Sequence, residues 1–102
     1  MSILRVRPEA EAEIEASARW YEAKRAGLGV EFVATVDAAF EEILDAPLSV
    51  PTWRESLPWR HKVLQRFPYV VFLTVIDDEI EIVAVAHGRR RPGYWTARTT
   101  ER

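Results

Sequence analysis

Apolar residues recur through the first half of the chain at the three-and-four spacing of a helix face, and through much of the second half at every other position. Ile3 to Arg7 (ILRVR) alternates apolar and basic residues, which predicts a short strand with one buried face. Pro8 suits a first helical turn, where its missing N–H has no intrahelical partner. Glu9, Glu11 and Glu13 then fall at the positive end of the helix dipole. Ala10, Ile14, Ala18 and Tyr21 share one face of a helix from about Pro8 to Arg25, and Gly27 and Gly29 break it. Phe32, Val36, Ala39, Phe40 and Ile43 form the stripe of a second helix, from about Val30 to Asp45, with Glu31, Asp37, Glu41 and Glu42 turned outward. Pro47 ends it. So short a break between two helices predicts an antiparallel helical hairpin.

Pro47 to Pro58 (PLSVPTWRESLP) carries three of the chain's prolines and no clear period, so it reads as a functional or loosely ordered connection. From Trp59 the period becomes two. WRHKVLQRF places Trp59, His61, Val63 and Phe67 on one face, and Arg60, Lys62, Leu64 and Arg66 on the other. PYVVFLTVI is a nearly continuous β-branched and aromatic run, as expected of a central strand covered on both sides. Asp77 and Asp78 predict a hairpin turn. EIEIVAVAH is then the last strand, with Ile80, Ile82, Ala84 and Ala86 facing one way. The order is β-α-α-β-β-β plus a short C-terminal tail. An α+β fold follows, a helical hairpin packed on one face of a small, mostly antiparallel sheet. Which strand receives the first one stays open. Trp20, Tyr21, Phe32 and Phe40 read as helix–sheet core, while Trp53 is either an exposed contact or a pin for the proline loop.

Length bounds this picture: 102 residues make a single domain, 1–102. The chain has no cysteine, which points to a reducing compartment and removes thiolate metal sites. Charges interrupt the N-terminus at once, and the longest apolar run is strand-sized, so a cytoplasmic protein with no membrane partner is expected. Charge is unevenly spread. Residues 1–58 hold six Lys/Arg and eleven Asp/Glu, a net −5; residues 59–102 hold eight and five, a net +3. The basic second half is the part expected to meet something negative, although the whole chain, at −2, is no nucleic-acid binder by charge.

FPY at Phe67–Tyr69, the DDEIEI turn and strand, and AHGRRRPGYW near the end occur in that order. Together with PEAEAEIEASARWYEAKRAGLGVEF, they resemble the RelE/ParE superfamily of bacterial toxins. The resemblance covers almost the whole chain. It implies the toxin of a type II toxin–antitoxin module, of the ParE-like plasmid-stabilisation type, neutralised by a cognate antitoxin and reaching DNA only through it. ParE-like members poison DNA gyrase without known catalytic residues. RelE-like members cleave mRNA on the ribosome with lysines and an arginine on the middle strands and an arginine and a tyrosine near the end. Here Lys62 fits one lysine position, Leu64 stands where a second would fall, and Val70 stands where the strand arginine would sit. Arg89 or Arg90 and Tyr94 fit the last two roles. With half the set missing, a gyrase-binding toxin that is not an enzyme is expected ahead of a ribosome-dependent endoribonuclease. A non-toxic relative that only pairs with its antitoxin to regulate transcription is the third reading.

Arg60, Arg66, His87, Arg89, Arg90, Arg91, Tyr94, Trp95 and Arg98 are the candidate antitoxin- or target-binding residues. Guanidinium forks match carboxylates, and aromatic rings bury area at low entropic cost, which is why both are enriched at protein hot spots. Each has a plainer reading. A charge run is usually a solvated face, Tyr94 and Trp95 can cap the sheet as a satellite core, and His87 can hold backbone at the strand exit. No metal or other cofactor is expected, because the two histidines lie far apart and there is no cysteine.

Overall fold

The computed structural model describes residues 2–55 and 58–99. Strand β1 (Ile3–Val6) leads into helix α1 (Pro8–Lys24) and helix α2 (Leu28–Asp45); β2 (Trp59–Val63), β3 (Tyr69–Ile76) and β4 (Glu79–His87) follow. Short 3₁₀ turns occupy Pro47–Ser49, Trp53–Glu55 and Thr96–Thr99, and residues 56 and 57 of the proline stretch lie outside the described residues. The sheet order is β1-β4-β3-β2. The first strand therefore joins the last one, in parallel, with Leu4 opposite Ile80 and Val6 opposite Ile82. The other two pairings are antiparallel.

Both helices form where the periodicity places them, but their junction is tighter than two breaking glycines suggest. Gly27, at φ 89°, caps α2, and Gly29 lies inside that helix. The Glu22 carboxylate on α1 accepts hydrogen bonds from both of their amides, at 2.9 and 3.0 Å. One helix thus satisfies the orphan N–H groups of the next. A Cβ on Gly29 would stand 2.5 Å from the Ala18 carbonyl oxygen, so the helices meet backbone to backbone. Gly29→Ala is expected to cost about 1–3 kcal/mol, as overpacked sites do, read as a lower urea midpoint at unchanged slope.

Ala10, Phe32, Val36, Ala39 and Ile43 from the helices meet Val71, Leu73, Ile80, Ile82 and Val85 from the sheet in the main core. Tyr21 and Phe40 pack against it, but Trp20 does not: it is 56% exposed, and the Lys24 ammonium lies over its ring. Strand β2 stops at Val63 rather than running to Phe67. The chain turns at Arg66, which sits at φ 71°, and this throws Phe67 into the helix-side core beside Leu64 instead of onto the opposite face.

The alternation expected along β4 also breaks. Phe72 pairs with Ala84, but Leu73 pairs with Ile82, so Val83 is the extra residue of a β-bulge. Ile80, Ile82 and Val85 face the helices, while Val83, Ala84 and Ala86 face the other way. A single strand thereby serves two cores. The second core holds Phe72, Val83, Ala84, Ala86 and Trp95, with Trp53, Trp59, Val70 and Tyr94 packed around it. The tail thus covers the sheet face that the helices leave open.

Candidate functional site

The tail is positioned by backbone first. Gly88 N–H donates to the Pro68 carbonyl at 2.8 Å, and Arg90 N–H to the His87 carbonyl at 2.9 Å. Gly93, at φ 83°, permits the turn that brings Tyr94 back to the sheet. Trp95 is then 1% exposed and lies flat on Phe72, with ring centroids 3.7 Å apart. Trp53 and Trp59 meet it edge-on. Trp53 therefore pins the proline loop to this second core.

Glu13, on α1, ties the tail down. Its carboxylate accepts from Tyr94 OH at 2.6 Å, from the Arg98 guanidinium at 3.0 Å and from Val85 N–H at 2.9 Å. Arg98 also donates to the Val83 carbonyl at 2.9 Å, at the bulge itself. Burial, and then the Glu13 acceptor, push the Tyr94 hydroxyl well above the usual phenol range. A pKa raised in the folded state adds stability that is complete below the unfolded value, about 10, and drains away as pH climbs through the folded one. Thermal midpoints measured from pH 8 to 11 should therefore fall at the alkaline end, and less steeply in Tyr94→Phe.

Of the remaining candidates, His87 accepts from Arg89 N–H through Nδ1 at 3.1 Å, so its neutral ring carries the proton on Nε2. Arg60 donates to the Leu48 and Val50 carbonyls and holds the proline loop. Arg66 pairs with Glu31 at 2.7 Å beside α2. Lys62 pairs with Glu42 at 2.6 Å, and its cross-strand partner is Val71, which faces the helices. Lys62 and Tyr94 thus stand on opposite faces of the sheet, and no one substrate position touches both.

What the tail does bring together is a cleft of about 160 Å³. It is lined by Trp53, Arg54, Phe72, His87, Arg90, Arg91, Tyr94 and Trp95, among others. Six arginines are spoken for: Arg5, Arg7, Arg25, Arg66 and Arg98 pair with carboxylates, and Arg60 binds carbonyls. Among the described residues five arginines have no such partner. Arg19 is on α1; Arg54, Arg90 and Arg91 line the cleft, and Arg89 is the exposed neighbour of the last two. The sequence run showed Arg89 to Arg91 but gave no sign that Arg54, 35 positions earlier than Arg89, would join them.

Comparison with known proteins falls in line with this architecture. The family model for the ParE toxin of the type II toxin–antitoxin system, parDE, matches residues 4–92. No curated protein matches the sequence. Among solved structures, a chain described as the chromosomal ParDE TA system from P. aeruginosa superposes with a TM-score of 0.66 at 20% identity, covering 85% of this chain and 96% of that one. At that identity the likeness is one of fold.

Proposed function

Because the chain belongs to the ParE toxin family of type II toxin–antitoxin systems, we propose that it arrests growth by binding DNA gyrase and is neutralised by a cognate antitoxin. The observation that carries a binding role is the gathering of Arg54, Arg89, Arg90 and Arg91 around one aromatic cleft, with no carboxylate partner among the described residues. Unpaired guanidiniums held beside rings form an interface in waiting, since both groups contribute most when a partner desolvates them. Separation of Lys62 from Tyr94 across the sheet favours this over RNA cleavage, which needs its base, acid and cations around one phosphate.

Inducible expression in a bacterial host tests the target. Filamentation with trapped gyrase cleavage complexes is the expected result, and Lys62→Ala should be as toxic as the parent. Rapid translation arrest with mRNA cut at ribosomal A-site codons would instead make the protein a nuclease. Absence of any growth defect, with folded protein accumulating, would leave only regulation. For the antitoxin, the double substitution Arg89→Glu and Arg90→Glu should weaken binding at least tenfold and flatten its salt dependence. Unchanged affinity by calorimetry would remove the cluster from that interface.

A further inference from the structure

The cleft beside the tail has a chemical bias that goes beyond a positive patch. Its hydrogen-bonding side chains, among the described residues, point to a single kind of guest. Arg54, Arg90 and Arg91 are donors only. His87 uses Nδ1 to accept from Arg89 N–H, which leaves Nε2–H as its free group. Tyr94 spends its hydroxyl proton on Glu13. Trp95 lines the cleft as well, and its indole N–H is buried without a hydrogen-bond partner. Buried donors of that sort are rare, and an unfilled acceptor position is one explanation of them. No carboxylate lines the cleft among the described residues.

Tyr94 shows what such a guanidinium pairs with in this protein. Two arginines lie against its ring, Arg98 at 5.1 Å and Arg90 at 4.0 Å from the centroid. Glu13 answers Arg98. Nothing among the described residues answers Arg90. Arg54 is stacked in the same manner on Trp53, at 4.8 Å. A guanidinium lying on a ring keeps its N–H edge free for a bidentate contact with an oxyanion.

From these features we propose that the cleft receives one acidic side chain, a glutamate or aspartate carboxylate, presented by the antitoxin. This rests on the antitoxin reading above and names the group recognised. Size favours a side chain over a free ligand, because about 160 Å³ is roughly half of the smallest cavities, about 300 Å³, that house whole small molecules. Net charge favours a carboxylate over a nucleic-acid phosphate, since a chain at −2 gives no long-range attraction to a polyanion. The carboxylate lies between the Arg90 and Arg91 guanidiniums, and the aromatic walls exclude water from it. That desolvation is what makes a charge pair of this kind specific as well as attractive.

The four tryptophan indole N–H groups report on the cleft in a ¹⁵N-correlated NMR spectrum. Titration with N-acetylglutamate N′-methylamide, whose only carboxylate is the side chain's, should shift the Trp95 indole proton in a saturable way, with a dissociation constant in the millimolar range. The Trp20 signal, from an exposed ring on α1, should stay still. N-acetylglutamine N′-methylamide, which has no carboxylate, should leave both unmoved, and Arg90→Gln with Arg91→Gln should weaken the glutamate response at least tenfold while the rest of the spectrum shows an intact fold. An equal response to the glutamine compound, or none to either, overturns the proposal. A response to inorganic phosphate without one to the glutamate compound also overturns it and assigns the cleft to phosphoryl groups. A protein that proved non-toxic would leave the predicted shifts as they are, so the two readings fail separately.

Discussion

Trp95→Ala should be the most damaging single substitution outside the helix-side core, with a loss of about 3–5 kcal/mol. That is the usual cost of emptying a buried tryptophan site. Trp95 is 1% exposed, yet it lies beyond the last strand, in a tail whose neighbours Arg89 to Pro92 are all exposed. Its removal uncovers Phe72, Val83, Ala84 and Ala86 and takes away the ring that Trp53 and Trp59 pack against. A domain of this size holds about 5–15 kcal/mol in total, so the variant should approach its unfolding threshold at physiological temperature. Urea denaturation measures the loss, and Trp20→Ala is the control, because that ring is 56% exposed and in neither core. A loss below about 1 kcal/mol for Trp95→Ala would mean that the tail is only an appendage.

Glu13→Ala should follow, at about 3 kcal/mol. The substitution strips the acceptor from three donors at once, Val85 N–H, Tyr94 OH and Arg98, and hydrogen bonds to charged groups contribute roughly 1.5–3 kcal/mol each when their partners stay dry. Side-chain exposures of 16% for Glu13 and 18% for Arg98 place the pair between the surface and the interior, so the full sum is not expected. Glu13→Gln, which keeps size and one acceptor, should lose about half as much. A double-mutant cycle with Arg98→Gln should return a coupling of about 1–2 kcal/mol, as contacting residues in one network do. Additive losses would show that Glu13 acts through Val85 and Tyr94 and leaves Arg98 aside. Because the clasp also orients Tyr94, against which Arg90 lies, Glu13→Ala should weaken antitoxin binding even where the protein remains folded.

The helices and the β3–β4 hairpin were legible in the sequence because each rests on a local signal: a stripe at helical spacing, a proline at a first turn, and an Asp-Asp pair where one residue takes φ 56°. The bulge at Val83 was not, since EIEIVAVA is apolar at every position after Glu81 and no polar residue marks where the alternation inverts. Parallel pairing of β1 with β4 depends on crossing the whole chain, and four residues carry too little pattern to name a partner. The site shows the same division. Arg89 to Arg91 announce themselves as a run, and Lys62 and Tyr94 each match a position, but only the sheet reveals that those two are on opposite faces. Trp53 and Arg54 reach the cleft from a proline-rich connection without periodicity, so nothing in their spacing could place them there.

The pairing of the first strand with the last has a consequence in time. During synthesis β1 emerges early and has no partner in the sheet until β4 has followed it, some 75 positions later. Glu13 likewise waits for Tyr94 and Arg98, at separations of 81 and 85 residues. A nascent chain can form its helical hairpin from local contacts alone, while the sheet and the arginine cleft require a nearly complete polypeptide. An interrupted translation therefore releases a fragment without the arginine cleft, which takes shape only once Tyr94 and Arg98 have been made.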